Sequence, residues 1–174
     1  MNAAFNWMIG VIALVAVGLV PLAGARAQDE QLQQIKLTDA QVKGYLAASK
    51  RLGEVSEKLE AAGEKPDPKL LEELEAIAKA NGFKSYDELD VVIANISFVL
   101  SGFDDKGEFS DPHEALKAEL EQIKGDSSIK ADEKAKMVEE IEEALKSTPP
   151  LQYKENIAVV KKHLKALDAV LQQQ

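Results

Sequence analysis

Acidic side chains number 30, but histidines number two. His113 and His163 are the only histidines. Neither has a second histidine or a carboxylate at the spacing of a ligating helix face that would also suit a second ligand set. Glu114 adjoins His113, but adjacent helical positions point apart. Both histidines read as structural. Asp104-Asp105-Lys106-Gly107-Glu108 is an acidic loop that could attract Ca²⁺. An EF-hand loop needs alternating oxygen ligands, glycine at the sixth position and glutamate at the twelfth. Here the glycine comes too early and no glutamate lies at the right distance, so a solvated turn is expected. The pairs Glu139-Glu140 and Glu142-Glu143 sit in a Glu/Lys-rich stretch and read as a solvated helix face. No nucleophile elbow, phosphate loop or dinucleotide fingerprint occurs. With no cysteine, disulfides, thiolate zinc sites, covalent haem and thiol catalysis are all excluded.

A second group of residues suits binding instead. Asn95-Ile96-Ser97 matches the glycosylation triplet but lies in the most apolar stretch after the N-terminal segment, where a glycan would not fit. Asn95 and Ser97 are therefore expected to be buried polar groups that must find hydrogen bonds. If the surrounding helices leave a cavity, the two could orient an apolar ligand. Phe83, Tyr86, Phe98, Phe103 and Phe109 concentrate aromatic mass between residues 83 and 109. Core packing accounts for them; the sharper alternative makes Phe103 and Phe109, which flank the acidic loop, part of an exposed docking patch with Phe98 nearby.

The elements that must position these residues are helices. Leu37-Thr38-Asp39-Ala40-Gln41-Val42 is a complete helix start: Thr38 and Gln41 form a capping box, and Leu37 and Val42 a hydrophobic staple. Apolar residues at 42, 45, 46, 52, 55 and 59 then mark one face up to Gly63. Asp67-Pro68 opens a second helix with Leu70, Leu71, Leu74, Ile77 and Ala78 inward, closed by Asn81-Gly82. Ser85-Tyr86-Asp87-Glu88 opens a third, running to about residue 101. It is apolar on nearly every side beyond Asp90, as a helix surrounded by others must be. Asp111-Pro112 opens a fourth, with Leu116, Leu120 and Ile123 inward. A fifth covers about Ala131 to Lys146 with Met137, Val138, Ile141 and Leu145 inward. Beyond the stiff Pro149-Pro150 break, a sixth runs from about Leu151 to Gln172, with Tyr153, Ile157, Val160, Leu164, Leu167 and Leu171 as a narrow seam. No stretch alternates like a strand. The fold class is all-α, an irregular bundle of about six helices around a buried central helix at about 86–101.

The chain has 174 residues, 45% of them hydrophobic and 29% charged, the balance of a globular protein with one real core. Its formal charge of −9 opposes nucleic acid and anionic membrane surfaces. Trp7 to Ala25 is uncharged and strongly apolar, broken by Pro21 and Gly24 and followed by Ala25-Arg26-Ala27, the small-x-small pattern of a signal peptidase site. Residues 1–27 read as a secretory signal peptide cleaved after Ala27, and residues 28–174 as a single helical domain. Met1 to Asn6 carry no lysine or arginine, and the rival reading is an uncleaved anchor just long enough for a bilayer of about 30 Å. Cleavage removes Arg26, one of 21 basic side chains, so the formal charge falls from −9 to −10.

Leu37-Thr38-Asp39-Ala40-Gln41 also resembles the Leu-Thr-x-x-Gln motif of small periplasmic stress chaperones of the Spy and CpxP type. That resemblance covers five residues and implies an exported, helical, cofactor-free protein that binds unfolded clients on a concave surface. The order of whole segments is similar to that of uncharacterised exported helical proteins of bacteria, which implies a location and a fold. The expected function is a periplasmic or secreted, non-enzymatic binding protein without cofactor or metal. It would hold a partner protein or a small apolar ligand near Asn95, Ser97, Phe98, Phe103 and Phe109. The alternatives are a chaperone-like stress protein or a carrier of a small apolar ligand; the reading from another class is an enzyme using carboxylates in a cleft between helices. Membrane contact is expected only through an uncleaved N-terminal segment.

Overall fold

The structure is a computed structural model that describes residues 32–63 and 67–172. The candidate signal peptide and its cleavage site lie outside the described residues. Six helices follow one another: α1 Asp39–Ala62, α2 Pro68–Ala80, α3 Tyr86–Leu100, α4 Pro112–Gly125, α5 Ala131–Ser147 and α6 Glu155–Leu171. Among the described residues there is no named strand, only an isolated bridge between Phe103 and Phe109. The protein is an all-α bundle.

Local chemistry sets the helix starts. Thr38 accepts the Gln41 amide through Oγ1 while Gln41 Oε1 accepts the Thr38 amide, so the α1 capping box is complete. Asp67 and Asp111 cap α2 and α4, each followed by a proline whose missing N–H costs nothing there. At α3 the expected box is only half formed. Ser85 Oγ accepts the Glu88 amide, but the Glu88 carboxylate reaches one residue further back, to the Lys84 amide at 2.7 Å. The sixth helix starts at Glu155, four residues later than the periodicity suggests. Leu151 is instead buried in the core, and the Gln152 amide donates to Gln34, so these residues are committed outside a helix.

The hydrophobic side chains divide into two clusters. In the larger, α1, α2, α3 and α6 enclose Val42, Val55, Leu74, Ile77, Leu89 and Val92, among others. Each large apolar side chain buried there contributes about 1.5–3 kcal/mol relative to exposure. Helix α3 packs on α1, α2 and α6, which accounts for its apolar character on nearly every side. Gly44 lets α1 come close to the α2–α3 turn: a Cβ there would lie 2.6 Å from the Asn81 carbonyl oxygen and 2.9 Å from the Phe83 ring. The second cluster is small. Leu120, Ile123 and Ile141 form its centre, with Leu116, Met137 and Val138 around them. Among the described residues, α4 and α5 pack on each other and on no other helix. They form a hairpin arm joined to the bundle at its base, where His113 Nδ1 lies 2.6 Å from the Thr148 carbonyl oxygen. The α6 seam ends sooner than its spacing implies, for Leu171 is 41% exposed.

Candidate functional site

The segment before α1 organises the most distinctive polar arrangement in the bundle. Residues 32–38 are not helical, and their backbone amides and carbonyls need partners. Two buried asparagines supply them. Asn95, on α3, is 2% exposed; its Oδ1 accepts the Ile35 amide at 2.9 Å, and its Nδ2 donates to the Gln33 carbonyl at 2.9 Å. The same Nδ2 also donates to the Val91 carbonyl one helical turn back. Asn156, on α6, is 1% exposed; its Oδ1 accepts the Leu37 amide at 2.8 Å, and its Nδ2 donates to the Ile35 carbonyl at 2.8 Å. Each asparagine thus engages the C=O of one residue and the N–H of the residue two further on. A strand receives the same pairing from a neighbouring strand. We call residues 32–38 the strap.

Side chains add less. Leu37 is buried and Ile35 half-buried against the main core, so apolar contacts come from alternate positions. At the rim, Gln34 Nε2 donates to the Pro150 carbonyl at 3.0 Å and Gln34 Oε1 accepts the Gln152 amide at 2.9 Å. Lys36 pairs with Glu155 at 3.0 Å. No buried side-chain nitrogen or oxygen among the described residues is left without a partner, as buried polar groups require.

Where the strap ends, two lysines and a histidine gather around Asp39. Lys162 and His163 of α6 approach its Oδ1 at 2.6 and 2.7 Å, and Lys43 approaches Oδ2 at 2.7 Å. Lys162 foremost, then Lys43 and His163, hold the Asp39 carboxyl well below the ordinary carboxylate range. Asn156, Val160, His163 and Leu167 recur at helical intervals along α6, so one face of that helix carries both the strap clamp and the Asp39 contact. Next to His163, Lys106, Glu108, Lys162 and Lys165 border an open groove between the 104–109 turn and α6.

The residues expected to bind are placed as follows. Asn95 is buried, and its amide hydrogen bonds are taken up by the chain's own backbone. Ser97 is half-buried on α3, two residues beyond Asn95, and its carbonyl accepts the Ser101 amide. Phe98 is half-buried against the main core. Phe103 and Phe109 meet edge to face, ring centres 5.2 Å apart and planes at 68°, and both pack on the core, so they are half-buried and not an exposed patch. Gly102 permits this closure: a Cβ there would overlap the Phe109 ring and lie 2.6 Å from the Ser110 carbonyl oxygen. The acidic loop is a turn. Asp104 Oδ1 accepts the amides of Lys106 and Glu108, and Gly107 takes φ 73°. Among the described residues, no three His, Asp or Glu side chains gather as a metal site, and no helix is long and apolar enough to cross a membrane.

Sequence reasoning missed Asn156, Gln34 and the Asp39–His163 pair. Asn156 sits between Tyr153 and Ile157 of the apolar seam, next to the position expected to face inward. A polar residue beside a buried stripe is the one signal that pointed to it. No family model, no curated protein and no solved structure matches the chain.

Proposed function

We propose that this chain acts outside the cytoplasm as a non-enzymatic binding protein whose partner is another polypeptide. The observation that supports this reading is the α4–α5 arm. Residues 112–147 form a hairpin with its own small core that contributes nothing to the packing of α1, α2, α3 and α6. Short helices draw most of their stability from tertiary packing, and three buried side chains supply little of it. A segment of this kind is ordered at a conformational-entropy cost that the bundle does not need. It makes sense as a surface carried toward something else. The arm holds ten acidic side chains and six lysines, so it opposes polyanions and suits a neutral or basic protein surface.

The residues that support export, Trp7 to Ala27, carry the apolar stretch and the Ala-x-Ala pattern. N-terminal sequencing of the chain recovered from outside the cytoplasm is expected to start at Gln28. A start at Met1 with the protein in the membrane fraction would favour a retained anchor.

The binding reading is tested by aggregation of a heat-unfolding client protein, followed by light scattering. An equimolar amount of the full chain should delay aggregation. A version with residues 112–147 replaced by a short Gly/Ser linker across the closed base should keep the bundle's helical signal and lose the delay. Equal scattering with and without the full chain would sink the proposal.

A further inference from the structure

We propose that the α3–α6 cleft is a receptor for extended polypeptide, and that residues 32–37 occupy it as a resident ligand that can be displaced. The hydrogen bonds carry the case. Asn95 and Asn156 spend their side-chain amides on the carbonyl of Gln33, both backbone groups of Ile35 and the amide of Leu37. None of these bonds reads a strap side chain. Recognition through main-chain groups, with pockets for alternate side chains, is how strand-adding receptors accept many sequences. The only side-chain demands visible in this cleft are two apolar residues in alternate positions, met here by Ile35 and Leu37. An extended segment of another protein with an apolar residue at i and i+2 meets the same demands.

The strap is also placed to leave without unravelling α1. The capping box that starts α1 lies within Thr38 and Gln41 and uses no atom of residues 32–37. Helix α1 keeps its N-terminal bonds when the strap departs, and Leu37-Thr38 is the hinge. The contacts of Gln34 with Pro150 and Gln152, and of Lys36 with Glu155, lie at the exposed rim and close the strap down without lining the cleft. They set how often the cleft is vacated. The proposal shares with the preceding section only the class of partner, a polypeptide, and uses a different surface.

The test uses the full chain and its Gln34→Ala/Lys36→Ala variant, which removes the rim contacts and leaves both asparagines in place. The probe is a fluorescent peptide of residues 32–38, blocked at both ends. Loss of the rim contacts should make the Ile35 and Leu37 amides exchange with solvent roughly two- to threefold faster and tighten peptide binding by about the same factor, since a resident competitor lowers apparent affinity by the fraction of vacant sites. Replacing Gln33, Gln34 and Lys36 of the peptide with alanine should change affinity less than threefold, on the order of one rim contact. Methylating the peptide nitrogens of Ile35 and Leu37 should abolish binding. Any of these results overturns the proposal: the methylated peptide binds like its parent; the variant keeps its helical signal but binds no peptide; or the strap amides exchange only as fast as those of Val92 and Ile96 in both proteins. Dimerisation of the variant by strap exchange without peptide binding would assign the cleft to a second copy and also overturn it. The linker version lacking the arm retains strap and cleft, so a failure here and a failure of the arm reading are told apart.

Discussion

Asn95 of α3 and Asn156 of α6 grip the same residue from two helices. Asn95 Oδ1 accepts the Ile35 amide at 2.9 Å, and Asn156 Nδ2 donates to the Ile35 carbonyl at 2.8 Å. One residue of the strap is thereby tied to both walls of its cleft.

Asn156→Ala should destabilise the fold by about 3 kcal/mol, because it strands the Leu37 amide and Ile35 carbonyl in a buried site at about 1–3 kcal/mol each. Asn156→Asp should be worse at neutral pH, since it sets a charge against the Ile35 carbonyl at a 1% exposed position, and should recover partly in acid. Urea unfolding of the three proteins at pH 7 and pH 4 measures both effects. A loss under 0.5 kcal/mol for the alanine variant would mean that the strap is not held by this side chain.

Two glycines of α1 should respond in opposite directions. Gly44→Ala drives a methyl into the Asn81 carbonyl and the Phe83 ring and should cost about 1–3 kcal/mol as overpacking. Gly53→Ala meets no atom within 4 Å and should stabilise by about 0.5–1 kcal/mol through helix propensity. Thermal melts suffice; equal shifts for the two would contradict the close approach of α1 to the α2–α3 turn.

Acid should act through Asp39. Its folded carboxyl lies below the ordinary aspartate range, owing first to Lys162 and then to Lys43 and His163. A depressed carboxylate adds stability above the unfolded value, about pH 4, and that stability drains away as the pH falls toward the folded value. The stability difference between the native chain and Asp39→Asn should therefore hold steady just above pH 4 and narrow below it. Because these charges are largely exposed, 1 M salt should narrow it too. A difference unchanged from pH 5 to pH 2.5 would contradict the cluster.

The arm should unfold on its own. Ile141→Ala removes one of three buried side chains at about 2–4 kcal/mol, more than so small a core can lose. Amide exchange should become fast across α4 and α5 and stay slow in α1, α3 and α6. Leu89→Ala, in the main core, should instead lower protection throughout the bundle. Uniform loss of protection in both variants would mean that arm and bundle form one cooperative unit.

The helices were legible in the sequence because their signals are local. Thr38, Asp67, Ser85 and Asp111 announce starts within four residues, and a buried stripe repeats within every two turns. The apolar girth of α3 likewise announced a central helix. A stripe does not say what it packs against. Those of α4 and α5 look like the others, and their separation from the main core became visible only in three dimensions. The candidate site was legible by half. Asn95 stood out as a polar group in an apolar helix that must find hydrogen bonds, but nothing in residues 32–38 has a period that marks them as its partner. Asn156 lies 119 residues from the amide it accepts, and His163 lies 124 from Asp39. Pairings of that span leave no trace in one sequence.

That span has a consequence for the order of assembly. A ribosome makes Leu37 of the strap 119 residues before Asn156. Until α6 exists, Ile35 can be gripped from the α3 side alone and Leu37 has no acceptor for its amide. Closure must then await a loop of more than a hundred residues, the kind of distant pairing that slows a fold. A nascent chain halted at the Pro149-Pro150 break would still lack the α6 side of the clamp on residues 35–37.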